Sequence, residues 1–518
     1  MLCVIATSFT GCFGRKKSGE AFSMPIMDEP TSLDPQIADS NSEKLVAANC
    51  YEGLVRIMAD GTIGKGVATD WNISDDGLTY TFKLRNNSHW AMFSGHKAVL
   101  GENYEDTFDI TVKAEDFKFG IERTLSEQTG SADAPLFSAV KSISTPDDFT
   151  IVFNLSYADD NFLYALTNPG AMPCDEEFFN LTNGKYGLDA KYLLCNGPFH
   201  VSKWTEKTSV KLAKNNEYNG ESSVSPSSVT FYINNDDSEV ADKMNSVTYD
   251  VAFILSSQFS SIENKKDLNS VAVQNVTYSF IFNQNDNNYR NKNMRLAFCR
   301  SCDTSTLFDS QSDISKADGI VPPSCKIGGE DYRNGNAAEL LSYDETLAKK
   351  NFNDALLELG SSSVETTILC TEQYEPFVKQ MVQKLQKTLG VKFVSTVKVV
   401  SESDLEAAVN DGNYSVAFYP FKAKSSFAGE IIEGFDQNNI FGYESDVLSQ
   451  KIRNIKNNSG SLEGERSAVA DAENYLVSEA VIMPVFYENS YFVTSKKTSG
   501  IYFYSSADNV CFINAKKS

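Results

Sequence analysis

Apolar and polar positions alternate through several stretches of the first half of the chain. TYTFKL at 79–84 and DFTIVFNL at 148–155 put apolar side chains on one face and polar ones on the other, as strands with one buried side do. FHVSKW (199–204) and SVKLAKN (209–215) repeat that period and predict a hairpin. A different period governs EPFVKQMVQKLQKTLG (375–390). There Phe377, Val378, Met381, Val382, Leu385 and Leu389 share one side of a helix, and Gly390 supplies the stop. VKFVSTVKVV (391–400) then predicts a strand, SESDLEAAVND (401–411) a helix, and the apolar run VAFYPF a further strand. This alternation of strands and helices predicts a largely parallel sheet with covering helices.

TYDVAFIL (248–255) and NYSVAFYP (413–420) echo one another, each with Val-Ala-Phe two residues after a Tyr. Both fit buried central strands, one in each half of the chain. A length of 518 residues exceeds one compact core, so two or more lobes are expected. A cleft between lobes is a favoured ligand site.

The N-terminal run from Leu2 to Gly11 is too short to span a bilayer, which needs about 20 apolar residues. It suits the apolar part of a secretory signal whose start precedes the recorded one. Thr10-Gly11-Cys12 resembles the lipobox of bacterial lipoproteins, with Phe9 where Leu is usual. That resemblance implies residues 1–11 as signal peptide and Cys12 as the lipidated mature N-terminus. Residues 12–20 then form a polar tether.

Charge narrows the function classes. Lys and Arg number 46 against 69 Asp and Glu, a net charge of −23, which repels nucleic-acid phosphates. Beyond Cys3 and Cys12, eight cysteines are scattered along the chain and name no disulfide pairing. Cys299 and Cys302 fit one face of a helix better than a metal or redox site. The three histidines, His89, His96 and His200, match no metal motif, and GxSxG, HExxH and P-loop patterns are absent. The expectation is no catalytic residue, no metal and no cofactor. A hydrolase built on two carboxylates stays compatible with so acidic a chain.

Seven segments stand out together: EPTSLDPQIADSNSEKLVAANCYEGLVR (29–56), ATDWNISDDGLTYTFKLRNNSHW (68–90), VKAEDFKFGIERTL (112–125), NGPFHVSKW (196–204), NMRLAFCRSCD (293–303), GIVPPS (319–324) and AVIMPVFY (480–487). Together they resemble the extracellular solute-binding proteins of family 5, the peptide receptors of ABC importers. They occur in the family's order. Most of these residues also have architectural readings, such as the turns Leu33-Asp34-Pro35 and Asp75-Asp76-Gly77. Residues 91–111 exceed the family pattern and read as a surface insertion.

The resemblance implies an α/β, two-lobed, periplasmic-binding-protein-like fold of type II, cluster C. Lobe I would comprise 21–54, 191–275 and 480–518, with an inserted subdomain at 55–190, and lobe II 276–479. The chain would cross between lobes near Val276 and near Met483. The implied function is capture of a solute, a peptide first of all, and its delivery to an ABC permease and ATPase complex. The receptor would be a monomer at the extracytoplasmic face of the bacterial cell membrane, held there only by its lipid. Open alternatives are a peptide-pheromone receptor, a binder of sugars or nickel complexes, and a surface hydrolase. By position in the family pattern, Tyr278, Phe421 and Tyr487 are the candidate aromatic walls of the ligand site. Lys424 falls where relatives carry an Asp for the ligand's ammonium, which implies preference for an anionic or blocked end.

Overall fold

The strands predicted by alternation form where one of their faces meets a core. In the computed structural model Thr79–Leu84 and Thr150–Leu155 are adjacent in a four-stranded antiparallel sheet, between Ala68–Ile73 and Val140–Asp147. Phe82 and Phe153 leave its inner face and meet edge to face at 5.8 Å. The turn before Thr79 depends on Gly77, whose φ of 70° disfavours a side chain, and on Asp76, whose carboxylate accepts from Ser74 Oγ and Leu78 N. The structure describes residues 19–518 except 59–61, 221–222, 235, 305–313, 328–329, 423–426, 437–438, 459–460 and 505–508. Cys12 lies outside the described residues.

Phe199–Thr205 and Ser209–Lys214 form the predicted hairpin. Ser228–Ile233 extends it antiparallel, and Ala21–Ile26 closes the edge in parallel. One core underlies both four-stranded sheets and takes in Phe512 and Ile513 from the returning C-terminal segment. Phe512 meets Phe22 at 6.0 Å. Asp34 does more than form a turn. It caps Pro35–Ile37 and holds Arg123 through Nη2 at 2.6 Å, and that guanidinium lies over Phe179 at 4.1 Å.

Two long strands, Leu268–Phe282 and Ile482–Ser495, run antiparallel through a seven-stranded sheet. Their register slips twice: the break lies between Val273 opposite Ser490 and Val276 opposite Glu488, and a second slip follows between Tyr278 and Ser279. Before the break the sheet continues into Val251–Leu255, and beyond it into Val416–Lys422. At the break, Gln274 Nε2 donates to Asn489 Oδ1 at 2.8 Å and to Ser315 Oγ at 2.9 Å. Met483 pairs with Phe280, well into the second half of the sheet.

The sheet is mixed rather than largely parallel. Val364–Cys370 lies parallel to Phe393–Val399 and to Val416–Lys422, whereas Val416–Lys422 and the long strands are antiparallel. Parallel pairing needs crossover helices. In this region they are Glu375–Leu389 and Glu402–Asn410, which join those three strands alone. Alternation along Leu268–Phe282 sends Phe280 and Phe282 into one core and Ile281 into the core on the other face. Val378, Met381, Val382, Leu385 and Leu389 are buried along Glu375–Leu389, as the period requires.

The eight cysteines among the described residues are free, and Cys299 and Cys302 are both buried. His89 makes an isolated bridge with Thr111. His96 is buried with Nε2 3.1 Å from the Leu193 carbonyl, and burial lowers its imidazole to about 4. Residues 91–111 carry three short helical turns anchored by buried His96 and Tyr104. Among the described residues no helix is long and apolar enough to cross a membrane.

Candidate ligand-binding cavity

A cavity of about 930 Å³ lies between the two halves. One wall comes from residues 28–168 and the other from residues 326–465. Such a volume is at the upper end for small-ligand sites. Its aromatic wall begins at the end of the strand Val416–Lys422. Phe421 stacks on Phe435 with ring centres 5.9 Å apart, and Phe435 stacks on Phe441 at 4.6 Å. Tyr419, two residues earlier on the same strand face, meets Phe421 at 5.5 Å. Rings of this kind offer broad apolar contact without demanding one shape.

Charge in the cavity is predominantly negative. Among the described residues eight carboxylates and four lysines line it. Lys44 approaches Asp133 at 3.7 Å, and Lys456 approaches Glu433 at 3.8 Å. Glu465 is placed by the first turn of the helix Leu462–Ser478, which Ser461 caps. It is 0% exposed, and its Oε2 accepts from Asn161 Nδ2 at 2.7 Å across the cavity. Oε1 has no hydrogen-bond partner among the described residues. Burial, then Asp159 and more weakly Asp160 and Glu433, pushes its carboxyl up to about 8, against the Asn161 bond. Burial and Asp160 raise Asp159 to about 6, although it accepts from Asn161 N. Burial raises Glu433 as well, with Lys456 opposing.

The residues singled out by sequence are not all brought together. Phe421 lines the cavity. Tyr278 does not. It points to the opposite sheet face, packed on Tyr374 at 4.4 Å, Phe486 at 5.1 Å and Phe418 at 5.5 Å. Pairing explains the separation: Thr277 faces Phe421, so its neighbour Tyr278 projects the other way. Tyr487 shares the Phe421 face but is 2% exposed, with its hydroxyl accepting from Asp318 N at 3.1 Å. Lys424 lies outside the described residues. Sequence reasoning missed Glu465 and Asp159. A signal existed: Glu465 falls in line with Val469, Ala472 and Leu476 on the apolar side of its helix.

A family model described as bacterial extracellular solute-binding proteins, family 5, middle part, matches residues 62–441. The chain is 24% identical over 497 residues to the dipeptide-binding protein DppE of Bacillus subtilis, covering 92% of this chain and 88% of that protein. Peptide-bound OppA of Listeria monocytogenes has the same fold, with a TM-score of 0.76, 20% identity, and coverage of 97% of this chain and 100% of that one. The dipeptide-binding protein of Pseudoalteromonas sp. SM9913, in complex with Met-Leu, gives a TM-score of 0.77 at 17% identity, covering 96% of this chain and 100% of that one.

Proposed function

The chain belongs to the bacterial extracellular solute-binding proteins, family 5, and on that premise we propose that its solute is a short peptide, held between the two halves and delivered to the permease of an ABC importer. The observation that carries this reading is the large cavity with Phe421 on one wall and residues 28–168 on the other. Relatives named for dipeptide and oligopeptide binding support it. The polar break near Gln274 and Asn489 in the two long strands is the hinge, and ligand favours the closed state. Lobe I is 21–54, 191–275 and the C-terminal return, with 55–190 inserted, and the remainder is lobe II. The protein binds and releases without chemistry, at the extracytoplasmic face, tethered through lipid on Cys12. Phe421 is the ring that meets the ligand, while Tyr278 and Tyr487 serve the sheet.

Native mass spectrometry of the protein as purified tests the reading. Retained masses should be those of short peptides at one per chain. A retained sugar or metal complex, or cleavage of offered peptides, contradicts it. A Cys12→Ser variant expressed from the full reading frame should be released or left unprocessed. Equal processing and membrane retention of both forms contradicts the anchor.

A further inference from the structure

Glu465 is fully buried, yet only one of its carboxylate oxygens has a hydrogen-bond partner among the described residues. An unfilled buried carboxylate oxygen is costly unless something occupies it. The groups around it compound that cost. Asp159 and Asp160 face it from the segment before Asn161, and Glu433 from the end of the helix Ala428–Glu433. Glu430 and Asp436 lie about Glu433, and Lys456 approaches it at 3.8 Å. A helix N-terminus favours a carboxylate at Glu465, but burial and the neighbouring acids outweigh it.

We propose that Glu465, with Asp159 and Glu433 around it, is a cation subsite of the cavity that receives an ammonium or guanidinium group of the bound peptide. The proposal rests on the peptide reading above and specifies the ligand class. Asn161 and Asp159 belong to the first half of the molecule, Glu465 and Glu433 to the second. A cation seated among them joins the halves, so its binding favours closure. The group is either the peptide's α-ammonium or a Lys or Arg side chain. An α-ammonium here would reverse the preference expected from Lys424.

Isothermal titration of the full chain separates these cases. The probes are Ala-Lys-Ala, Ala-norleucine-Ala, the N-acetylated form of each, and agmatine. Removing the cation that occupies the subsite should weaken binding at least about tenfold. In Glu465→Gln that ratio should fall below about threefold, because an amide gains little from a cation. Asp159→Asn, a milder change, should reduce the ratio in the same direction. Loss of affinity on acetylation identifies the α-ammonium, and loss on norleucine substitution identifies the side chain. Cation binding near pH 7 should also release protons, seen as a dependence of the measured heat on buffer. Peptides that bind with no charge preference, or with one unchanged in both variants, overturn the subsite and leave the receptor standing. Agmatine binding that Glu465→Gln abolishes, with no peptide bound, supports the subsite and overturns the peptide reading. Binding of neither agmatine nor any cationic peptide overturns the subsite.

Discussion

One helix, Leu462–Ser478, buries two glutamates two turns apart, and their surroundings are opposite. Glu473 is enclosed by donors. Its Oε1 accepts from Ile320 N at 2.7 Å, from Val321 N at 2.9 Å and from Arg333 Nη2, while Oε2 accepts from Arg333 Nη1 at 2.9 Å and Tyr332 OH at 3.1 Å. Arg333 Nε in turn donates to the Val321 carbonyl at 2.7 Å. Glu465 has Asn161 on one oxygen and acids for neighbours. A buried carboxylate with every lone pair occupied fixes a loop to a helix. A carboxyl left partly open among other acids beside a cavity holds its proton more tightly in the empty protein and leaves an oxygen available to a ligand.

Of the two glutamates, Glu473 is the more costly to remove. Glu473→Ala leaves Arg333 buried without its partner and should lower stability by about 3–5 kcal/mol, read from urea unfolding. A loss under about 1 kcal/mol would mean that the network is ornamental.

At Glu465 the effect has the opposite sign and develops only as pH rises. Its folded value of about 8 stands above the ordinary carboxylate value of 4.5. The stability linked to that shift is therefore complete below pH 4.5 and lost as pH rises toward 8. Glu465→Gln should match the native chain at pH 4 and exceed it by roughly 1–3 kcal/mol at pH 9. Unfolding series at the two pH values check this, and equal differences at both would contradict the assigned burial and repulsion.

Smaller effects separate the rings. Phe421→Leu should weaken peptide binding by roughly 1 kcal/mol with little change in stability. Tyr487→Phe should leave binding intact and cost about 1 kcal/mol of stability, because Asp318 N loses its acceptor. Titration and unfolding of both variants give the comparison, and the converse pattern would exchange their roles.

Much of this architecture is legible along the chain. The helix at 375–389, the strand at 79–84 and the turn at Asp75–Gly77 depend on near neighbours and local periods. Sheet order does not. Leu268 pairs with Ser495 and Val276 with Lys422, and periodicity tells which face a residue occupies but not which strand lies beside it. The site divides in the same way. Phe421 follows from the family pattern. Tyr487 sits on the same sheet face, but its fate depends on a hydroxyl partner supplied by Asp318. Glu465 and Glu473 look alike on one helix. Only donors brought from Asn161 on one side, and from Ile320, Val321, Tyr332 and Arg333 on the other, distinguish them.

The most direct test is a crystal structure of the protein with Ala-Lys-Ala bound. The peptide should lie between the two halves, one face against Phe421, with a nitrogen cation about 3 Å from Glu465 Oε1. Peptide bound outside this cavity, or Glu465 Oε1 satisfied by another protein group while the ligand's cations point to solvent, would contradict it.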